Sequence, residues 1–521
     1  MTEPRRRRLL LASAALARLA VPGWALSANM ASAASAANTA KAATAGPIAQ
    51  ASPTRQNHPN QPIDVLVLGA GLAGLNAALV LQQAGLRVRV LEAATRVGGR
   101  ILTLDDLPGR PESGGTQIAA AYVRTLQVAQ QVGVNLLPSA SSPLLRDAAL
   151  ILHIQGQRFS LKGWADAAVN PMPEAVRGWV PDRALSRLIG PSPLRSAADS
   201  QNAAWRAFDV PVDAELRARG VSPAALRLLE VNNGLGDTLA ETSLLNLYHA
   251  QNNVAVVTQV GGPVLQVVGG NQRLPEAMAK ALKGDLLLGR RVVAVTTNSN
   301  SNSNSNNKSE PPARPSSTVH CADGSVHRAR WVVCSLPLPA MRSVQFLPGL
   351  PSRHAEAVSQ LAYGRVTQLH LEVLRPFWQA DGLLPYLWSD GPLERIFPRD
   401  AMGDGQAQVL TAWINGAETS AWDALSDADA SRRALQTLAQ IYPASQGAVR
   451  LARRVAWQGS PLAGGSWANW RPGQISRYSA AIALPAGPLH FAGEHTGRGL
   501  RGIEAAMVSG DRAAAEILAR A

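Results

Sequence analysis

The stretch DVLVLGAGLAGLNAALVLQQAGLRVRVLEAA, residues 64–94, decides the fold of this chain. Its hydrophobic pattern predicts a buried strand over Val65–Leu68, a helix from about Leu72 to Ala84 and a second strand over Val88–Leu91. A strand, a glycine turn, a helix and a strand in this order are typical of a parallel sheet with crossover helices. We therefore predict an α/β fold with a Rossmann-like domain.

The glycines between the first strand and the helix have the spacing G-x-G-x-x-G, at Gly69, Gly71 and Gly74. The first allows a tight turn, the second lets the backbone approach a pyrophosphate, and the third lets the helix pack closely on the strand. Glu92 ends the second strand about twenty residues further on, where a carboxylate can accept hydrogen bonds from the ribose hydroxyls of an adenosine. This combination predicts dinucleotide binding.

The sequence continues as ATRVGGRILT, which places a second glycine pair between two arginines. This extension resembles the flavoprotein version of the motif, in which a second loop approaches the FAD pyrophosphate and the arginines lie against it. NAD dehydrogenases lack the extension. The resemblance implies FAD as the cofactor, with these contributing residues: Arg96, Gly98, Gly99 and Arg100.

The far end of the chain, GPLHFAGEHTGRGLRGIEAAMVSGDRAAAEIL at 487–518, matches independently. It resembles the closing FAD segment of the flavin amine oxidase family, which includes monoamine, polyamine and L-amino acid oxidases. The resemblance extends over most of 62–521. It implies that Glu494 reaches the ribityl or phosphate region of FAD. It also implies that backbone N–H groups near Gly502 and Ile503 meet the flavin O2 side at a helix N-terminus.

Three further pieces resemble the family in the expected order. ESGGTQI at 112–118 is similar to the stretch beside the flavin ring, and VVGGNQRLPEAMAKAL at 267–282 is similar to the return into the FAD domain. FLPGLPSRHAEAVSQLAYGRVTQLHLEVLRPFW at 346–378 is similar to the second part of the substrate domain. The residues that this places at the cofactor are Gly114, Gly115, Gln117 and the backbone of Val292 or Val293.

The resemblance implies two domains assembled from alternating segments. We expect the FAD-binding domain to contain residues 62–120, 261–345 and 481–521. A substrate-binding domain of α+β type would contain residues 121–260 and 346–480. A chain of this length exceeds what one hydrophobic core usually serves, which also favours two domains.

Two tryptophans in RRVAWQGSPLAGGSW match the family's substrate side. Trp457 corresponds to the tryptophan packed beside the flavin and Trp467 to one wall of an aromatic cage that holds the amine; alternatively, both belong to the core. Gly502 stands where the second wall is expected, so that wall is open. Ser466 stands where covalent members carry a flavin-linking cysteine, so the resemblance implies noncovalent FAD.

The family's active-site lysine, which holds a water against flavin N5, is replaced in YGRVTQLHL by Gln368. We expect Gln368, Trp457 and Trp467 to be the residues closest to the chemistry. The arginine with which L-amino acid oxidases bind the substrate carboxylate has a poor counterpart in Arg124, which stands at a different distance from the glycine pair. An amine without a carboxylate is therefore favoured.

These features lead to three hypotheses of function. The first is an FAD-dependent amine oxidase or dehydrogenase, in which hydride passes from the carbon next to nitrogen to the flavin and the imine hydrolyses. Its electron acceptor is oxygen or a periplasmic carrier. The second is a desaturase or isomerase of an apolar substrate, and the third is a noncatalytic flavin-binding protein. The oligomeric state, including a homodimer, stays open.

The first 33 residues have the layout of a secretory leader. A positive stretch, Arg5–Arg8, precedes an apolar run from Leu9 to about Val21 that is too short to cross a bilayer, and Ala31–Ala33 is a candidate cleavage site. The arginines also resemble a twin-arginine signal, which exports folded proteins, although an ordinary leader is the alternative.

We expect a periplasmic or secreted bacterial enzyme that is exported after folding, because FAD would lie between distant segments, 69–100 and 491–503, and loading would accompany folding. A flexible linker, 34–61, follows the leader, and 298–317 reads as a low-complexity loop.

Composition excludes several other classes of protein. The leader contributes +4 of the formal net charge of +14, and the remaining +10 comes from arginines scattered among acids, without a basic block interleaved with aromatics, so we expect no nucleic-acid partner. Two cysteines, Cys321 and Cys334, form no metal cluster and no disulfide framework. They could pair across a hairpin, but we interpret both as packing residues.

Overall fold

The computed structural model describes residues 63–139, 150–298, 316–380, 385–399 and 406–521. The predicted leader, the predicted linker and most of the low-complexity loop lie outside the described residues.

The helices and strands of the described residues have the following bounds. The helices are α1 (Leu72–Gln83), α2 (Val123–Gln131), α3 (Leu161–Asp166), α4 (Pro181–Ile189), α5 (Val212–Ala218), α6 (Pro223–Glu230), α7 (Leu244–Val260), α8 (Arg273–Lys280), α9 (Leu338–Met341), α10 (Ser352–Gln360), α11 (Thr419–Asp423), α12 (Asp427–Ile441), α13 (Gln474–Tyr478) and α14 (Gly502–Leu518). The strands are β1 (Ile63–Leu68), β2 (Val88–Leu91), β3 (Leu102–Thr103), β4 (Glu112–Gly114), β5 (Ile118–Ala119), β6 (Leu136–Pro138), β7 (Leu150–Ile154), β8 (Gln157–Ser160), β9 (Val264–Val267), β10 (Asp285–Leu287), β11 (Val292–Asn298), β12 (Ser316–Cys321), β13 (Val326–Cys334), β14 (Gln345–Leu347), β15 (Ala362–Tyr363), β16 (Val366–Val373), β17 (Tyr386–Ser389), β18 (Arg395–Arg399), β19 (Val409–Asn415), β20 (Val449–Ala456), β21 (Ala468–Asn469) and β22 (Leu489–Phe491).

The first sheet contains the predicted β1–α1–β2 unit. β10, β2, β1, β13 and β22 are parallel neighbours in that order. The first half of β13 pairs antiparallel with β12, which pairs antiparallel with β11, and β14 is parallel to β11. The α/β fold class predicted from the sequence is thus confirmed.

Helices α1 and α14 pack against each other over this sheet. A Cβ added to Gly510 of α14 would lie 2.5 Å from the carbonyl oxygen of Ala73 in α1, so the two backbones approach as closely as glycine allows. Met507, Ala513 and Ile517 of α14 share a core with α1. This packing brings the N-termini of both helices to the same end of the sheet as the glycine turn.

The second sheet has the order β20-β16-β19-β18-β17-β7-β8, with neighbours antiparallel except β17 and β7. Side chains alternate between its faces. Leu369, Leu371 and Leu410 belong to the large core on one face. Gln368 and His370 alternate with Leu369 and Leu371 along β16 and therefore point to the opposite face.

The strands of the first sheet come from residues 63–91, 285–347 and 489–491, and those of the second from residues 150–160 and 366–456. The domain boundaries themselves stay a prediction. Both cysteines are free and buried, and burial raises the pKa of Cys334 to about 12, as suits a packing residue.

Two features are absent from the part of the chain that the structure describes. Among the described residues, no helix is both long and apolar enough to be a membrane span, and no group of three metal-ligating side chains is assembled.

Candidate active site

The two glycine turns predicted for the pyrophosphate lie against each other. Gly98 donates its N–H to the carbonyl of Ala70 at 2.8 Å, and Gly71 and Gly98 form a parallel bridge. Gly69 has a φ of +98°, and a Cβ on Gly74 would lie 2.1 Å from the carbonyl oxygen of Gly69. Backbone geometry therefore requires glycine at Gly69, Gly74 and Gly98, whereas Gly71 lies beside open space.

The cradle between the turns has room for a ligand. A Cβ built on Gly71 meets nothing within 4 Å, and no side chain caps the N-terminus of α1. The first N–H groups of a helix have no intrahelical acceptor and attract anions. Open space at uncapped N–H groups is what a pyrophosphate requires.

Glu92 joins the end of β2 to the first glycine turn. Its buried carboxylate accepts hydrogen bonds from the N–H groups of Ala70 at 2.6 Å and Ala94 at 2.8 Å. An ionised carboxylate can accept about four hydrogen bonds, so capacity for ribose hydroxyls remains. The N–H of Arg290 donates to the Glu92 carbonyl at 2.7 Å, which places the start of β11, where Val293 lies, beside this position.

The two arginines of the second glycine turn have different partners. Arg96 donates to the carbonyl oxygens of its own loop, at Val97, Gly99 and Ile101. Arg100 instead crosses to the far part of the chain.

Arg100 donates to the carbonyl of Ser466 at 2.8 Å and to the Glu494 carboxylate at 3.1 Å. Burial disfavours the charged guanidinium, but the adjacent Glu494 outweighs it and the pKa of Arg100 is raised. The same carboxylate oxygen of Glu494 accepts from the N–H of Ala468 at 2.9 Å. Segments more than 300 residues apart in the sequence thus meet at one ion pair.

The glycine pair of β4 and the N-terminus of α14 also converge. A Cβ on Gly115 would lie 2.1 Å from Ile101 Cδ1 and 3.4 Å from Ile503 Cδ1. Gly502, with a φ of +61°, begins α14 without a side-chain cap. The structure therefore brings Gly115, Gly502 and Ile503 together, as the family resemblance implies.

Trp457 lies behind β4, where it is buried. Its indole N–H donates to the carbonyl of Ser113 at 2.8 Å, and a Cβ on Gly114 would lie 2.8 Å from its ring. Trp467 is half-buried and donates its indole N–H to the carbonyl of Gly234 at 3.1 Å. The two tryptophans therefore differ: Trp457 packs beside the strand, and Trp467 faces open space.

That space is a cavity of about 380 Å³. Strands β18 and β19 of the second sheet contribute to it. Its lining residues are Pro111, Glu112, Thr116, Gln117, Ser139, Asn232, Val264, Phe397, Pro398, Arg399, Thr411, Trp413 and Trp467. Gln117 and Trp467 are the predicted site residues among them. A largely apolar wall with a few polar groups is typical of a small-molecule site.

Gln368 is fully buried in the middle of β16. Neither its Nε2 nor its Oε1 has a hydrogen-bond partner among the described residues, which is unusual for a buried amide. Two positions away on the same face, Val366 packs on Trp457 and His370 contacts Ser113. Gln368 therefore faces the region between β4 and Trp457.

His370 is a site residue that the sequence analysis missed. Its Nε2 lies 2.9 Å from Ser113 Oγ and its Nδ1 lies 3.1 Å from Thr411 Oγ1, so the ring joins β4 to a cavity-lining residue. Burial, with a contribution from Arg453, lowers the pKa of His370 to about 3, and the ring stays neutral. The alternation of QLHLEV with Gln368 is the signal that could have identified it.

Two buried carboxyls at the cavity were also missed. Glu112 accepts hydrogen bonds from Asn271 N–H at 2.7 Å and Thr103 Oγ1 at 2.8 Å, one on each oxygen. Glu394 accepts from the Asn232 side chain and the Asn415 N–H, both at 3.0 Å and both on Oε2. Burial raises the pKa of each carboxyl to about 7.

Arg124, the weak sequence candidate for binding a carboxylate, points away from the cavity. Its Nε lies 2.9 Å from Asp511 of α14 and its Nη2 donates to Asn76 of α1 at 3.0 Å. The structure therefore agrees with discounting it. Ser466 donates its hydroxyl to the carbonyl of Gly364 at 2.8 Å and offers no thiol.

The residues fit FAD. The glycine cradle, the helix N-termini and the acid at the end of β2 provide for a dinucleotide. The family resemblance implies that the flavin ring passes β4, and the Trp457 ring contacts that strand while the unpartnered amide of Gln368 faces the region beside it. The assignment of individual contacts to FAD stays a prediction.

Comparison with known proteins identifies the family. A family model described as flavin containing amine oxidoreductase matches residues 72–518. A putative L-amino-acid oxidase of Bacillus subtilis is 24% identical over 494 residues, which cover 88% of this chain and 95% of that protein. A putative flavin-containing monoamine oxidase of Mycobacterium tuberculosis is 26% identical over 495 residues, which cover 89% of this chain and 98% of that protein.

Solved structures share the fold. Putrescine oxidase with bound putrescine superposes with a TM-score of 0.72 at 23% identity, covering 88% of this chain and 100% of that one. Cyclohexylamine oxidase from Brevibacterium oxydans gives a TM-score of 0.72 at 21% identity, covering 88% and 99%. Of the three hypotheses of function, family membership favours amine oxidation. The chain belongs to the flavin-containing amine oxidoreductase family and is an oxidoreductase that acts on amines with FAD as its cofactor.

Proposed function

We propose that this enzyme oxidises a small amine with noncovalently bound FAD, is exported after folding, and passes its electrons to a carrier faster than to oxygen. FAD, when bound, accepts hydride from the carbon next to the amine nitrogen. The protein positions the amine, keeps water away and sets the charge around the flavin. The observation that carries the proposal is the neutral, unpartnered Gln368 at the position of the family's lysine.

The choice of acceptor follows from charge. Reduction of oxygen builds negative charge on the oxygen molecule, and a nearby ammonium stabilises that charge strongly in a dry site. The amide of Gln368 offers only a dipole. Losing one such interaction commonly costs about 3 kcal/mol, or about a hundredfold in rate.

Two other basic side chains near the site, Arg100 and His370, do not replace the lysine. Arg100 is paired with Glu494 at 3.1 Å, so its charge is largely compensated. His370 is neutral because burial lowers its pKa to about 3. These two facts support an enzyme that reacts sluggishly with oxygen, in which an amine still reduces the flavin quickly.

Stopped-flow mixing of the reduced enzyme with oxygen tests this proposal. We expect Gln368→Lys to react about a hundredfold faster than the wild type, and an artificial acceptor to reoxidise the wild type much faster than oxygen does. Gln368→Met is the matched control, because it keeps the length of the side chain without adding charge. Equal oxygen rates in the wild type and in Gln368→Lys, with the new ammonium shown beside the flavin, would contradict the proposal.

Noncovalent binding and export are supported by separate features. Ser466 occupies the attachment position with a hydroxyl that is already engaged. Arg100 and Glu494 connect the two ends of the cofactor site, which supports the view that FAD loading and folding occur together, before export. The leader resembles a twin-arginine signal, and such a signal suits a protein that is exported after it has folded.

A further inference from the structure

One charged side chain of the cavity has no role in the site described above. Among the lining residues only Glu112 and Arg399 are charged, and both oxygens of Glu112 already accept hydrogen bonds. Arg399, at the end of β18, is half-buried and faces the cavity. Removing a guanidinium from water in this position costs free energy unless an anionic or hydrogen-bond-accepting group binds it.

The Arg399 side chain is held in place but not fully used. Nε donates to the carbonyl of Gly109 at 3.2 Å and Nη1 donates to the side chain of Gln266 at 3.1 Å. Nη2 has no acceptor among the described residues. Burial lowers the pKa of Arg399, and the nearby Glu112 opposes that shift, so the cation lies in a low-dielectric wall. A fixed guanidinium with a spare N–H is suited to a planar oxygen acceptor.

Strand register gives the distance between this cation and the reacting end of the cavity. Arg399 is in the same row across the sheet as Glu372, four residues along β16 from Gln368, and β19 lies between the two strands. With strands about 5 Å apart and residues about 3.3 Å apart along them, the two Cα atoms are about 16 Å apart. Arg399 therefore lies at the opposite end of the site from Gln368.

We propose that Arg399 binds an anionic group on the substrate, and that the enzyme takes amines that carry a carboxylate at the far end of an extended chain. A carboxylate on the carbon that bears the amine cannot reach Arg399 while the nitrogen lies at the Gln368 end. An amine with a second ammonium at its far end is repelled by the same charge. This inference rests on amine oxidation in this cavity and specifies its substrate.

Anaerobic reduction of the bound flavin by four probes of equal chain length tests the substrate class: octylamine, ω-aminooctanoate, α-aminooctanoate and the α,ω-diamine of octane. We expect ω-aminooctanoate to have the highest apparent second-order rate constant and the diamine the lowest. Arg399→Gln should lower the rate constant for ω-aminooctanoate roughly 10- to 100-fold, leave that for octylamine within about twofold, and raise that for the diamine.

Two further variants control for charge and folding. Arg399→Lys keeps the cation and should retain part of the preference. Arg432→Gln removes an exposed arginine of α12, paired with Asp429, and should change none of the four rates, although it alters the net charge equally. FAD content and thermal midpoint show whether each variant is folded.

A titration without turnover separates this inference from amine oxidation itself. Octanoate should perturb the absorbance of the bound flavin in the wild type, and Arg399→Gln should bind it roughly 10- to 100-fold more weakly. If no amine reduces the flavin, amine oxidation fails, while the octanoate titration still tests the anion site. Equal rates for octylamine and ω-aminooctanoate, or octanoate binding unchanged by Arg399→Gln, would overturn the inference.

Discussion

Replacing Glu394 by glutamine should make the enzyme more stable above neutral pH and leave its stability unchanged in acid. Glu394 lies behind the cavity wall and is buried, and the hydrogen bonds from the Asn232 side chain and the Asn415 N–H both end on Oε2. An amide oxygen can accept both bonds in place of Oε2. The substitution therefore removes a titration without removing the contacts.

The magnitude follows from the pKa of Glu394. Burial raises it from 4.5 to about 7, because the folded protein disfavours the charged carboxylate. Between these two values the folded protein keeps a proton that the unfolded chain has lost, so wild-type stability is full below pH 4.5 and falls as pH rises to about 7. Each pKa unit corresponds to about 1.4 kcal/mol, so the loss is about 3 kcal/mol.

The assay is denaturant unfolding of wild type and Glu394→Gln at a series of pH values, followed by tryptophan fluorescence. We expect coincident curves near pH 4 and a variant more stable by up to about 3 kcal/mol near pH 8. Glu112→Gln is the informative comparison, since each oxygen of Glu112 has its own donor and an amide nitrogen would face one of them. A difference between wild type and Glu394→Gln that does not change with pH would refute the reasoning.

Two further predictions concern the cofactor and export. Glu92→Ala should weaken FAD retention by about 1–3 kcal/mol, measured by equilibrium dialysis, because charge-assisted bonds to the ribose are lost; denaturing the wild type should release intact FAD, and flavin that stays with the chain would show a covalent link. Lysine in place of both Arg6 and Arg7 should keep the protein in the cytoplasm, which cell fractionation measures. If another pair within Arg5–Arg8 is the one that the export machinery recognises, Arg5 and Arg8 must be changed as well. Delivery of flavin-loaded enzyme by a strain without folded-protein export would contradict this.

The nucleotide-binding unit could be predicted because its determinants are local. β1, the glycine turn, α1 and β2 follow one another within about thirty residues, and glycine spacing reports a backbone conformation that few other residues adopt. The structure gives β1 two residues more at its start and ends α1 at Gln83, with Ala84 as its cap. Such differences at element ends are ordinary, because helix and strand ends are weakly specified.

The cavity could not be predicted in the same way, because its residues are assembled by register between distant strands. Thr411 reaches His370, and Phe397 packs on Trp413, only because β16, β19 and β18 align row by row. Nothing near Arg399 in the sequence marks it as a cavity residue. The arginine that the sequence does offer, Arg124, follows a recognisable motif, but the fold directs it towards Asp511.

The distribution of charge along the site underlies both proposals, the slow reaction with oxygen and the binding of a substrate carboxylate by Arg399. At the end where the chemistry occurs, Gln368 is neutral and Arg100 is paired with Glu494, so neither side chain presents an unpaired positive charge to an oxygen molecule or to a substrate nitrogen. At the other end, Arg399 is a cation with a spare donor in a wall of low dielectric. Because charges interact strongly in such surroundings, an amine that carries a carboxylate is oriented with its nitrogen towards Gln368. In both proposals Gln368 matters because it carries no charge: it offers an oxygen molecule no ammonium, and it does not repel the substrate nitrogen.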